Sequence, residues 1–267
     1  MNSLQNKNVL LTGATGGIGQ AVLHQLLDRG ANVMITGRDA EKLQQLAAAA
    51  PQRVQTFAGD LTESATRSAL LAVCMQRGGI DVLINNAGIS QFSAQSEQDL
   101  ANLVQTNLLA PMQLCQLFLP MLIKRSGILL NVGSTFGSIG YAGYAGYCAS
   151  KFGLRGYTEA LQRELADSGV KVLYLAPRAT KTAINSSQVD ALNSALGQHV
   201  DTPNQVAKAL IAQLITGRKR KYIGAPESFF IKLNALLPAV VDLALGSKLK
   251  QIKHYFSAVK ASKSAEV

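Results

Sequence analysis

Tyr147 and Lys151 are the two residues whose types and spacing point most directly to chemistry. They bound the stretch Tyr147-Cys148-Ala149-Ser150-Lys151. In a helix, positions i and i+4 share a face, so a phenol and an ammonium would serve one site. A free phenol, with a pKa near ~10, moves protons poorly at neutral pH. A neighbouring ammonium favours the phenolate and brings that pKa towards the working range of an acid–base catalyst. Tyr141, Tyr144, Tyr157 and Tyr174 are followed four residues later by Ala145, Cys148, Leu161 and Arg178, so Tyr147 alone among these has the lysine. Tyr141 and Tyr144 read as pocket wall or packing.

A second cluster has the chemistry of phosphate binding. An apolar run leads directly into Thr12-Gly13-Ala14-Thr15-Gly16-Gly17-Ile18-Gly19. Glycines at a strand-to-helix junction allow a tight turn and close approach of backbone N–H groups to a pyrophosphate, and the helix N-terminus adds a favourable dipole. Gly13, Thr15, Gly16, Gly17, Ile18 and Gly19 are therefore candidate dinucleotide-binding residues. The second apolar run ends in Thr36-Gly37-Arg38. An acidic side chain there would bind a ribose 2′-hydroxyl and repel a 2′-phosphate, whereas Arg38 presents a planar donor fork to phosphate. NADP(H) is accordingly expected over NAD(H). Asp39 leaves two options, a ribose contact or a cap on the next helix.

The T-G-x-x-x-G-x-G spacing resembles the short-chain dehydrogenase/reductase family, and further motifs repeat the resemblance in order over about residues 6–224. Asn85-Asn86-Ala87-Gly88 looks like the family's N-N-A-G segment, and Asn107, Ser134, Tyr147 and Lys151 match its catalytic positions. The resemblance implies that Ser134 orients a substrate carbonyl, with Thr135 and Ser138 as rivals and a turn-forming serine as the plain alternative. It implies that Asn107 links Lys151 to solvent through water, and that Lys151 also holds the nicotinamide ribose. It places Asp60-Leu61 beside adenine, although Asp60 could equally cap a helix. It adds Asn86, Ala87, Gly88, Pro177 and Thr182 to the cofactor residues. It also implies a homodimer or homotetramer formed through helices near 97–123 and 147–167. One departure stands out. The family commonly has P-G-x-[V/I]-x-T where this chain reads Pro177-Arg178-Ala179-Thr180-Lys181-Thr182. A backbone needing φ > 0 would be costly at Arg178. Arg178 or Lys181 would contact an anionic group, or both would be solvated loop charges.

These residues need a scaffold, and the hydrophobic pattern supplies one. Apolar runs at 8–13, 32–37, 53–60, 81–88, 127–134 and 171–177 read as buried strands, with 219–224 as a last one. Helical segments near 17–29, 39–49, 62–77, 97–123, 147–167 and 203–216 lie between them. Alternating buried strands and helices predict an α/β fold, a single Rossmann-type domain with a doubly wound parallel sheet and helices on both faces. Residues 1–224 form that unit, and residues 225–267 an apolar and basic C-terminal helical extension. The 183–202 stretch, rich in Asn, Ser, Gln and Ala, reads as a mobile substrate lid. Phe92, Ile139, Tyr141, Ala142 and Ile184 are candidate pocket residues, weakly favouring a lipid-like or aromatic ketone.

Composition narrows the alternatives. With 48% apolar and 16% charged residues, the chain can fill a large core and is no wholly disordered protein. Three cysteines without C-x-x-C spacing indicate neither a disulfide framework nor a zinc site, and His24, His199 and His254 are scattered, so no metal is expected. The net charge of +10 is unevenly placed: residues 218–267 hold 10 basic and 3 acidic residues. That segregation argues against a uniformly basic nucleic-acid binder. The tail carries Lys232, Pro238 and Asp242 within its apolar 228–245 stretch, then Lys248, Lys250, Lys253, Lys260 and Lys263 with Tyr255 and Phe256 between them. Packed helices over the site and contact with an anionic membrane surface both fit this pattern. No signal peptide is evident, and a cytoplasmic setting is expected. The leading reading is an NADP-dependent carbonyl reductase or alcohol dehydrogenase. Its rivals are an NADP(H)-sensing regulatory protein without turnover, and a sugar-nucleotide epimerase or dehydratase.

Overall fold

The computed structural model describes residues 4–255. Seven strands, β1 (Asn8–Thr12), β2 (Asn32–Gly37), β3 (Val54–Ala58), β4 (Val82–Asn85), β5 (Ile128–Val132), β6 (Lys171–Ala176) and β7 (Arg220–Tyr222), form one sheet in the order β3-β2-β1-β4-β5-β6-β7. Every pairing is parallel, with Val9 opposite both Val33 and Val82 and Leu130 opposite Leu173. Parallel neighbours require crossovers, which helices α1 (Gly17–Leu27), α2 (Ala40–Ala48), α3 (Ser64–Gln76), α4 (Leu100–Val104), α5 (Ala110–Lys124), α6 (Ala145–Glu164), α7 (Ser187–Ala195) and α8 (Pro203–Thr216) provide. After β7 the chain adds α9 (Ala225–Leu236) and α10 (Pro238–Gly246).

The strands read as continuous apolar runs because both faces are covered. Val9, Leu11, Val82, Ile84, Leu130, Leu173 and Leu175 pack with α1 and α8, while the alternate residues Leu10, Leu83, Leu129 and Val172 pack with α3, α5 and α6. Strand order reverses direction of growth between β1 and β4, and a crevice opens at such a switch point beyond the C-terminal strand ends. Gly13, Asn86 and Ala87 all lie there.

Two elements differ from the sequence expectation. The 97–123 helix is interrupted by a wide π turn over Gln105–Leu109, so α4 and α5 are separate helices and Asn107 sits in the irregular part. The 183–202 stretch contains α7, whose Ser186 cap accepts from Val189 N at 3.4 Å and whose Val189 and Leu192 are buried. A capped helix with a packed face forms there despite the polar composition. Leu100–Lys124 is the one helical stretch among the described residues that is long and apolar enough to cross a membrane. Its Leu103, Leu114, Phe118 and Leu122 are buried against the rest of the fold, as in a core helix.

Candidate active site

The phosphate loop is built by close backbone packing. Gly13 has φ +66°, and a Cβ there would lie 2.6 Å from Ala87 Cα, so the ends of β1 and β4 can touch only through glycine. Asn86 reinforces the junction by donating from Nδ2 to the Thr12 and Gly13 carbonyls at 3.0 and 3.1 Å, while the Asn86 and Ala87 N–H groups donate to Thr12 Oγ1. Gly16 caps α1 without any side-chain hydrogen bond, leaving the first-turn N–H groups open to an anion, and that turn carries no acidic residue. Thr15 lies beside Gly37 at the end of β2, its carbonyl held by Gln20 Nε2. A Cβ on Gly17 would sit 3.0 Å from Thr182 Cγ2, so the loop after β6 closes directly over the glycines. Two hydrogen bonds from Thr62, with a smaller attraction from the exposed Arg38, hold the Asp60 carboxyl below its ordinary range. Bare backbone, an open helix start and a neighbouring cation fit a dinucleotide.

Two open sequence readings are decided here. Asp39 caps α2, accepting from Lys42 N at 2.9 Å. Asp60 forms a local turn on Thr62 rather than capping α3, whose cap is Glu63. Leu61 packs against the α3–α5 core and its carbonyl accepts from Arg67. The first Asn of the N-N-A-G segment is structural: buried Asn85 donates to Asn131 Oδ1 at 2.9 Å, and Asn131 to Thr158 Oγ1 at 2.9 Å, tying β4, β5 and α6.

At the other end of the crevice, Ser134, Tyr147 and Lys151 converge on a cavity of about 520 Å³. Its lining also includes Ile18, Asn86, Gly88, Pro177 and Thr182, so the candidate catalytic and cofactor residues share one space. Tyr147 and Lys151 do lie on one helix, α6, with Lys151 Nζ 5.8 Å from the phenol ring centre. Lys151 Nζ donates to the Val132 carbonyl at 3.0 Å. The expected electrostatics are corrected. Burial raises the Tyr147 phenol to about 12 against a weaker opposing hydrogen bond from Ser134, and burial lowers Lys151 to about 8. At neutral pH the protein alone therefore holds a protonated phenol beside a charged lysine.

The serine rivals separate by their partners. Ser138 accepts from Arg155 Nη1 at 2.7 Å through its hydroxyl and from Asn234 Nδ2 at 3.0 Å through its carbonyl, so it is committed to packing. Ser134 starts a short turn, Thr135–Gly137, accepting from Phe136 N at 3.1 Å, and faces the cavity with Thr135. Asn107 is fully buried. Its side chain bonds Ile89 through both N–H and carbonyl and donates to Ser150 Oγ at 3.1 Å, which fixes the loop after β4 against α6. It makes no direct hydrogen bond to Lys151 among the described residues.

Ile139, Tyr141 and Ile184 line the cavity, and Tyr144 completes an aromatic wall with Phe136 and Tyr141. Phe92 instead lines an adjoining recess of about 400 Å³, and Ala142 lines neither. Sequence reasoning did not find Phe230, Val241, Ala244 and Lys248 of the C-terminal segment as cavity residues. Arg178 is not the solvated loop charge of one sequence reading. Its backbone avoids the left-handed region, and its side chain forms a fork with Asp201 at 2.8 and 3.0 Å and bonds Glu227 at 3.1 Å. Its charge is already paired with two carboxylates at the cavity wall, whereas Lys181 is exposed. The clasp joins the loop after β6, the start of α8 and the start of α9. Separations of 23 and 49 residues left no periodic signal for it.

Comparison with known proteins matches residues 7–193 to the short chain dehydrogenase family. A nodulation protein G from Rhizobium sp. (strain N33) is 34% identical, over 79% of this chain and 90% of its own. A 3-oxoacyl-[acyl-carrier-protein] reductase from Vibrio cholerae is 32% identical, over 86% of this chain and 94% of its own. A crystal structure of a short-chain dehydrogenase from Streptomyces avermitilis superposes with a TM-score of 0.79 at 28% identity, covering 92% and 98% of the two chains.

Proposed function

The chain belongs to the short chain dehydrogenase family, and on that premise we propose that it is an NADP-dependent carbonyl reductase or alcohol dehydrogenase working at the Tyr147 cavity. The observation that carries this reading is the meeting of Ser134, Tyr147 and Lys151 with Ile18, Asn86 and Thr182 in one largely apolar space. Bound nicotinamide supplies or accepts the hydride. Gly13, Thr15, Gly16, Gly17 and Gly19 would receive the pyrophosphate, Arg38 the 2′-phosphate, and Asp60 and Leu61 the adenine side. Asn86, Ala87, Gly88, Pro177 and Thr182 would enclose the nicotinamide half.

In reduction, the protonated Tyr147 hydroxyl donates its proton to the substrate oxygen. The Ser134 hydroxyl orients that oxygen and donates to it as negative charge develops. Lys151 favours the phenolate that remains, its own position fixed by the Val132 carbonyl. Asn107 holds α6, and so both residues, against the loop after β4. We take residues 1–224 as the binding and catalytic unit and residues 225–267 as its extension. Exposed Leu100, Leu109 and Phe152 on α4 to α6 support assembly of a homodimer or homotetramer through these helices.

A screen of carbonyls and alcohols with NADPH, NADP, NADH and NAD, followed at the nicotinamide absorbance, tests the proposal. Turnover faster with the phosphorylated cofactors is expected. Cofactor binding without turnover of any substrate would favour a sensing role instead.

A further inference from the structure

Helices α9 and α10 fully bury one narrow row and leave most of their other apolar side chains exposed. Ile231 and Val241 are 6% and 3% exposed, and further on Ile252 is 1% exposed. The opposite side presents Phe229 at 62%, Leu236 at 79%, Leu237 at 56% and Leu243 at 78% exposure. The corner joining the two helices, Leu236-Leu237-Pro238-Ala239-Val240, is exposed throughout and contains no polar side chain. Corners of this kind are ordinarily polar, and a contiguous apolar ridge marks a surface with a partner. The ridge runs into the cavity mouth: Phe230 and Ala244 line the cavity and are themselves exposed, next in sequence to Phe229 and Leu243.

Charge identifies the partner. Lys232, Lys248, Lys250 and Lys253 are exposed on the same segment. Of its two acidic residues, Glu227 is engaged by Arg178 and only Asp242 is exposed without an ion pair among the described residues. The sequence adds Lys260, Lys263 and one acidic residue, Glu266, which with Phe256 lie outside the described residues. Apolar side chains projecting from short helices, flanked by lysines, are the composition of a segment lying in the headgroup region of an anionic bilayer.

We propose that the α9–α10 ridge docks on an anionic lipid surface, with the mouth of the Tyr147 cavity facing the bilayer. One consequence rests on the oxidoreductase reading above: a lipid-dissolved carbonyl compound enters the cavity past Phe230 and Ala244 without crossing bulk water. The docking itself is read without turnover. The full-length protein is sedimented with vesicles of phosphatidylcholine mixed with phosphatidylglycerol, and with vesicles of phosphatidylcholine alone.

The mixed vesicles should bind about tenfold more tightly at low salt, with the difference shrinking at high salt. The double variant Leu236→Asp/Leu243→Asp should lose about tenfold or more on the mixed vesicles, while its thermal unfolding midpoint stays that of the parent because both side chains are exposed. Failure of the full-length protein to sediment with either vesicle would overturn the proposal, as would parental binding by the double variant. So would a dimer in light scattering that the double variant separates without any vesicle binding, since a second copy of the chain would then be the occupant of the ridge.

Discussion

Replacing Lys151 by Met should stabilise the protein while abolishing its chemistry. Lys151 is 5% exposed, and burial moves its ammonium from 10.5 to about 8. A folded-state pKa below the unfolded one means that the unfolded chain holds the proton more tightly, so the buried amine costs stability at every pH below 10.5, in full below about 8. The shift corresponds to about 3 kcal/mol at pH 7. Methionine fills a similar volume without the charge but forgoes the hydrogen bond to the Val132 carbonyl, worth about 1 kcal/mol, which leaves a net gain of about 2 kcal/mol.

The sign can be checked by pH. As pH rises from about 8 towards 10.5 the folded protein loses its proton first and the penalty disappears. The advantage of Lys151→Met should fall to about 1 kcal/mol at pH 9 and vanish by about pH 10. Urea unfolding of both proteins across that range, with equal m-values, measures it. A variant less stable than the parent at pH 7, or an advantage constant from pH 7 to 10, would refute the claim that Lys151 is a buried, destabilising charge retained for function. The fading must be read below pH 10, because the raised phenol of Tyr147 disfavours folding as pH passes from 10 towards about 12.

Tyr147→Phe should keep fold and NADPH binding and lose about 10²-fold or more in turnover, measured as kcat on whichever carbonyl the screen identifies. Arg38→Ala should weaken NADPH about 10- to 100-fold in a fluorescence titration and leave NADH within about twofold, since only the former offers a 2′-phosphate. Arg178→Ala strands the carboxylate of Asp201, whose side chain is 3% exposed, and should cost about 3 kcal/mol by chemical denaturation, with part regained in Arg178→Ala/Asp201→Asn. Truncation after Gly224 removes Phe230 and Val241 from the cavity wall and should raise KM for a bulky carbonyl roughly tenfold, with the NADPH Kd changed less than about twofold.

The sequence by itself determined the parts of this protein that depend on local pattern. Buried strands alternating with amphipathic helices specify a parallel α/β sheet because each run encodes its own period, and the glycines of the first turn encode the close approach of Gly13 to Ala87. Tyr147 and Lys151 were legible as a pair because one helical turn joins them. Tertiary structure decided what depends on distant groups. The phenol's pKa rises because burial, which spacing does not encode, outweighs the hydrogen bond from Ser134. Asn107 falls in a π turn that helical periodicity passes over, and Ser138 leaves the site because Arg155 and Asn234 reach it from two other helices. Arg178 reads from sequence as a misplaced charge on a glycine position. Only the fold brings it to Asp201 and Glu227, where three elements far apart in the chain share one desolvated ion cluster. The C-terminal segment shows the same division: its apolar and basic character is in the sequence, but which of its residues line the cavity and which face outward is set by the packing of Ile231 and Val241.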